Sequence, residues 1–316
     1  MRGSLTEAIE VLRPGARTAV QDLGRFGYQH LGFGASGAAD QRSLVLANQL
    51  VGNDVRAAVI EATVQGPRLR FPIQCQVAIV GCDPMAAVNG EAVRSNQTIL
   101  VMAGDILDLP RTGAARAYIA VAGGILVTPI LGSRSTDLVG GIGGVDGRSL
   151  RAGDLLPIAQ RLPLRPWTLQ PRWMPRKRSD LIARAVAGPQ ADMFSADSMA
   201  GLFGSRFVVQ PGSDSMGLRL DGPALQPPSQ ILSEGQPAGS VEIPPSGLPI
   251  VLLPGRQTVG GYAKAAVVSR VDLPDLGQLM PGDSISFELV GLDQAVEAGR
   301  QWMDELFDPS RTLASL

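Results

Sequence analysis

Histidine is almost missing from this sequence: His30 is the only one in 316 residues, and cysteine is limited to Cys75 and Cys82. A zinc centre needs several Cys and His ligands at short spacing, so no metal site is expected. A Ser-His-Asp or Cys-His arrangement would have to use His30, which reads more simply as a loop residue beside Tyr28. The cysteines flank the apolar run Gln76 to Val80. At an odd spacing along one strand they point to opposite faces, which argues against a disulfide and fits a reducing compartment.

Charge is also scarce, at 18% of residues, and it nearly cancels to a net of −1. The chain therefore has no overall field to attract nucleic acid or an anionic membrane. No apolar run approaches the length of a membrane span. The stretch Met1 to Glu7 lacks the apolar centre of a secretory signal, so a cytoplasmic protein is expected. Neither a Walker A sequence nor a Met-Lys-Met biotin site occurs. The run from Gly32 to Gly37 has G-x-G-x-x-G spacing, but no apolar strand precedes it and no strand–helix alternation surrounds it. A nucleophile elbow is missing too, because Ala38 stands where its second glycine would be.

Turn formers and apolar residues are abundant: 38 Gly, 24 Pro and 45% hydrophobic. That density favours many short strands over long helices. Val77–Val80, Ile99–Met102, Ile106–Leu109 and Ala117–Val121 read as strands, as do Phe207–Val209, Ser240–Ile243, Pro249–Leu253 and Ser284–Phe287. Asn89-Gly90 marks a hairpin. Asp40 is placed to cap a helix carrying Leu44, Ala47, Leu50 and Val51 on one stripe. A second helix carries Ala295, Val296, Gly299, Met303, Leu306 and Phe307, and packs on its own barrel or on a partner. Gly66-Pro-Arg-Leu69 and Gly222-Pro-Ala-Leu225 each precede strands and then a Gly-Asp turn, which suggests two related β-rich domains or a common turn element used twice. The expected layout is a β-barrel-like domain over 1–160 and a basic, Pro/Arg-rich linker over 161–186. A second β domain follows over 187–290, then a C-terminal helix and tail over 291–316. Arg176-Lys-Arg178 within the linker reads as a solvated face or a surface for an acidic partner.

Polar side chains concentrate in Gly-rich loops. Gln21, Asp22 and Arg25 lie within five residues, and Ser133, Arg134, Ser135, Thr136 and Asp137 form a second cluster. Arg256, Gln257 and Thr258 lead through Gly260 and Gly261 to Tyr262 and Lys264. Such loops suit a small anionic or amide-bearing ligand: guanidinium forks a carboxylate, hydroxyls hold oxygens, and Lys or Tyr moves a proton. The other reading is that Arg and Asp lock the turns to each other, with Arg134 bracing its turn through Asp137.

Taken in order, several motifs are similar to the biotin-dependent carboxyltransferase family, which includes allophanate hydrolase subunit 2, the KipA-like proteins and the C subunit of 5-oxoprolinase. In the first half they are Gln21-Asp-x-Gly-Arg25, Ser36-Gly-x-x-Asp40, Ala47-Asn-x-Leu-Val-Gly-Asn53, Glu61, Gly66-Pro67, Gly132-Ser-Arg-Ser-Thr-Asp137 and Gly144-x-x-Gly-Arg148. The second half adds Gly188-Pro-Gln190, Asp192, Phe194, Met216-Gly-x-Arg-Leu220, Ser233-Glu-Gly235, Gln257-Thr-x-Gly-Gly-Tyr262 and Lys264. The resemblance covers about residues 10 to 290. It implies a mainly β fold of two cyclophilin-like β-barrel domains with a few short helices, and a heteromeric assembly.

On the 5-oxoprolinase branch the partners would be a KipI-like B subunit and a LamB/YcsF-like A subunit. Together they open 5-oxoproline to glutamate with ATP. The alternatives are a carboxyltransferase component that acts on urea or another amide, and a KipA-like regulatory binding protein. In the enzyme readings the chain is inactive alone, and ATP or carboxybiotin is handled by the assembly. The concentration of donors in these Gly-rich loops, within motifs shared with the family, puts Lys264, Tyr262 and Arg134 in catalytic roles. The same polar density puts Gln21, Asp22, Arg25, Ser133, Ser135, Thr136, Asp137, Arg256, Gln257 and Thr258 at the substrate, in a cleft expected to join loop 132–137 to the Arg256–Lys264 stretch. Four positions depart from the pattern: Ser215 for Arg, Glu242 for Gln, Gly255 for Asp and Ala263 for Pro.

Overall fold

In the computed structural model, residues 7–161, 163–228 and 231–316 are described. The stretch Met1 to Thr6, on which the signal-segment reading turns, lies outside them. The chain is mainly β, and it divides into two compact units. Unit one takes the residues up to Arg25, Ser36–Lys177 and Glu305–Leu316; unit two takes Phe26–Ala35 and Arg178–Asp304. Among the described residues no helix is long and apolar enough to cross a membrane.

Unit one holds a six-stranded and a five-stranded sheet around one apolar core. Alternation explains how. In strand Arg116–Val121, Ala117, Ile119 and Val121 join the core with Val77 and Ile79 of the same sheet and Ile9, Val11, Leu69 and Leu107 of the other. Tyr118 points the opposite way, towards helix Gln41–Leu50, where its hydroxyl accepts from the Asp40 backbone N–H at 2.7 Å. Asp40 caps that helix as its sequence predicts, accepting from Ser43 N at 2.9 Å. Asn89 and Gly90 form the expected hairpin turn at φ 52° and 90° between strands Met85–Val88 and Glu91–Val93. Both cysteines are buried and neither forms a disulfide, and burial pushes the Cys75 thiol up to about 12.

The stretch expected as a linker carries structure. Strand Trp167–Leu169 pairs with Leu313–Ser315, and Trp173 Nε1 donates to the Arg311 carbonyl at 2.9 Å. Strand Asp180–Ala187 belongs to the barrel of unit two. Arg165 stacks over Trp167 and Arg172 over Trp173, while Arg176, Lys177 and Arg178 are exposed.

Unit two is a closed seven-strand barrel. Its order is Asp180–Ala187, Ala263–Val268, Ser240–Ile243, Ile250–Leu252, Gly217–Asp221, Arg206–Val209 and Ser284–Leu289, and the last strand closes in parallel on the first. Closure leaves no unpaired edge. Leu181, Ala183 and Ala185 alternate inward on the first strand and meet Phe207, Val241, Val251 and Ile285 in the core.

Candidate functional site

The loop clusters of unit one are anchored by Asp22. Its carboxylate accepts from Ser133 Oγ at 2.7 Å, Ser135 Oγ at 2.5 Å, Arg134 N at 2.6 Å and Gly24 N at 2.8 Å. Arg25 is fully buried and donates to the carbonyls of Ile130 and Ser135, both at 3.0 Å. A Cβ on Gly143, whose φ is +73°, would lie 2.7 Å from Arg25 Nη2 and closer still to the Ser135 carbonyl, so only glycine allows this packing. Gln21 Nε2 donates to the Thr136 carbonyl at 3.2 Å, and Thr136 Oγ1 donates to the Val20 carbonyl at 2.9 Å. Asp137 accepts from the backbone N–H of Val139 and Gly140. Arg134 Nε donates to the Val127 carbonyl at 2.9 Å, so the bracing bond runs to Val127 and not to Asp137. The structure thus brings Gln21, Asp22, Arg25 and residues 133–137 into one hydrogen-bonded assembly whose polar atoms serve mostly to fix the loop.

In unit two the chemistry gathers at a β-bulge. Strand Ser240–Ile243 pairs with Ala263–Val268, and the register shifts between Val241↔Ala266 and Glu242↔Lys264. Val241, Ile243, Ala263, Ala265 and Ala266 face the apolar core. Glu242 and Lys264 are therefore cross-strand neighbours on the opposite face, where the bulge re-aims the lysine. Each is only 2% exposed. The Lys264 ammonium forms an ion pair with Glu234. Gln190 Nε2 donates to the same Glu234 oxygen at 2.7 Å, while Gln190 Oε1 accepts from Lys264 N at 3.1 Å. Hydrogen bonds from Lys264 and then Gln190 hold the Glu234 carboxyl below its ordinary value. Glu242 has the reverse fate: burial pushes its carboxyl up to about 7, against the pull of Lys264.

Arg256, Gln257 and Thr258 lie in the loop before strand Val259–Gly260, which pairs with Glu234–Gly235. Arg256 Nε donates to the Gln236 carbonyl at 2.5 Å, and the Thr258 carbonyl accepts from Gln236 N at 3.0 Å. Burial lowers the Arg256 pKa. Tyr262 is 42% exposed, at the start of the turn into Lys264. Two departures from the family pattern touch: Gly255 N donates to the Ser215 carbonyl at 3.0 Å. Unit two thus gathers Arg256, Thr258 and Lys264 around Glu234 and Gln236, with Gln257 and Tyr262 on the same segment. Sequence reasoning placed Gln190 and Glu234 in motifs and noted Glu242 as a departure, but gave none of them a site role. Gln236 carried no signal beyond its place next to Ser233-Glu-Gly235.

The chain is mainly β, and beside a bulge of its closed barrel Lys264, Glu234 and Gln190 are joined by an ion pair and hydrogen bonds. Residues 31–289 match the carboxyltransferase domain, subdomain A and B, and the chain belongs to that family. It is 35% identical to the C subunit of 5-oxoprolinase from Escherichia coli (strain K12) over 95% of this chain and 96% of that protein. It is 32% identical to the urea amidolyase of Saccharomyces cerevisiae (strain ATCC 204508 / S288c), covering 89% of this chain but only 16% of that protein. The urea carboxylase structure of Kluyveromyces lactis superposes with a TM-score of 0.90 at 30% identity, over 100% of this chain and 30% of the longer one.

Proposed function

We propose that this chain is the C subunit of a cytoplasmic 5-oxoprolinase that opens the lactam of 5-oxoproline to glutamate, with ATP, beside subunits of the B (KipI-like) and A (LamB/YcsF-like) kinds. One observation carries the reading: the match to the 5-oxoprolinase C subunit runs the length of both chains, whereas the match to urea amidolyase covers a small part of that protein. Opening the ring breaks the C–N bond, adds water oxygen to the carbonyl carbon and leaves a proton on nitrogen. The unit-two cluster has the parts to assist. Lys264 carries positive charge beside Glu234 and holds a carboxylate or a developing oxyanion. Glu242, poised near neutrality, holds or releases a proton. Tyr262 and Arg256 are proposed to contact the ligand, while the Asp22 assembly keeps loop 132–137, with Arg134, in shape.

A second reading, a carboxyltransferase acting on urea, draws support from the likeness to urea carboxylase over the whole of this chain. Co-expressing the chain with its B- and A-type neighbours and measuring glutamate released from 5-oxoproline separates the two. Release that requires ATP and stops when this chain is omitted supports the oxoprolinase. Urea-dependent carboxylation with no glutamate release supports the alternative.

A further inference from the structure

Besides Ser269 Oγ, two buried polar side chains of unit two carry atoms that no protein group satisfies. Gln236 is 4% exposed, and neither its Oε1 nor its Nε2 has a partner. Glu242 is 2% exposed, and its Oε1 has none. Buried polar atoms are normally paired, so three orphans in one region ask for an occupant. Their placement shows where it would sit. Glu234 and Gln236 are two residues apart on a ribbon that pairs with Thr258–Gly260, so both side chains project to the same side. On that side Glu234 meets Lys264, and Lys264 lies across the strand pair from Glu242. The main chain of Gln236 is fixed through its N–H to Thr258 and its carbonyl to Arg256. Its side chain lies along bare backbone at Gly260, where a Cβ would approach Nε2 to 2.7 Å.

A carboxamide presents one donor and one acceptor along a single edge. Its complement is a second amide with N–H and C=O on the same side, that is, a cis amide. A lactam is locked in that form by its ring, and urea shows the same edge, whereas an ordinary trans peptide does not. We propose that Gln236 is a specificity-determining residue that reads the cis-amide edge of the substrate, Oε1 accepting from its N–H and Nε2 donating to its carbonyl. This rests on the reading that sets a small amide against the Lys264 cluster of unit two.

Binding to the full chain, alone and with its partner subunits, tests the pairing by calorimetry. The probes are 5-oxoproline, its γ-lactone analogue in which ring oxygen replaces N–H, and urea. The wild-type protein is expected to favour the lactam over the lactone by about ten-fold or more, because the lactone sets a lone pair against Oε1. Gln236→Leu is expected to bind both weakly, within about two-fold of each other. Equal wild-type affinities, a preference that survives in Gln236→Leu, or no saturable binding at millimolar probe overturns the assignment. Equal wild-type affinities overturn the pairing without any variant, and if Gln236→Leu fails to fold, Gln236→Glu, which keeps the length but loses the amide donor, takes its place with the same expected loss of preference. Failure of the parent reading looks different: selective lactam binding without glutamate release, or urea bound in preference, removes the oxoprolinase assignment and leaves the pairing in place.

Discussion

Glu242 sits where an ionisable group is least comfortable, 2% exposed beside one cation whose ammonium already pairs with another carboxylate. Its folded pKa of about 7 lies above the unconstrained 4.5, so the fold favours its protonated form. The sign follows from linkage: its contribution to stability is fully present below pH 4.5 and is lost as pH rises through 7. Glu242→Gln stays neutral throughout. The variant should melt above the wild type at pH 8, by on the order of 2 kcal/mol, and converge with it near pH 5. Parallel melting curves of the two proteins across that range would disprove the assignment. Asp22 and Lys264 divide along another line. Asp22 accepts four hydrogen bonds within its own loop assembly, so Asp22→Ala should cost about 2–4 kcal/mol of stability. Lys264→Ala should instead weaken substrate binding roughly ten- to a hundred-fold in protein that still folds. Melting and titration of both variants checks the division.

Among the elements, helix Gln41–Leu50 makes the simplest case. Asp40 caps it through Ser43 N, takes Ser43 Oγ at 2.7 Å, and ties in Tyr118, whose hydroxyl donates to Glu61 at 2.8 Å. Asp40→Ala should therefore cost more than an exposed cap, about 2 kcal/mol, read as a shift in denaturation midpoint without a change in slope. This cap was legible in the sequence because capping is a local transaction over four residues. The Asn89-Gly90 hairpin and the C-terminal helix Leu292–Leu306 were legible for the same reason. What was not legible depends on partners far along the chain. Trp167–Leu169 looks like coil until Leu313–Ser315 pairs with it. The bulge that sets Lys264 opposite Glu242 is a register shift between two strands, which neither strand's pattern announces. Loop polarity pointed to Arg256, and motif order to Lys264 as well, but Gln236 emerges only once the barrel is closed and its amide is found without partners.

For the molecule as a whole, comparative length is the strongest constraint on how it works. The chain spans 96% of a protein named as one subunit, and 16% of a urea amidolyase. Where relatives carry this region inside a much longer polypeptide, the remaining length supplies whatever else those proteins do. If the chain works as the subunit proposed above, those parts come from other polypeptides. The expected outcome is a stable complex with the B-type subunit that persists through size-exclusion chromatography at micromolar concentration. Apolar side chains of unit two such as Ile182, Leu232 and Leu292 are more than half exposed and would gain from cover. Burying them at an interface removes apolar area from water at about 25 cal/mol per Å², less the cost of association. Salt discriminates the origin of the contact: an apolar interface holds or tightens as ionic strength rises, whereas one built on surface charge loosens. Separate elution of the two proteins at both low and high salt would remove the partner from the account, and with it the need for this chain to act in company.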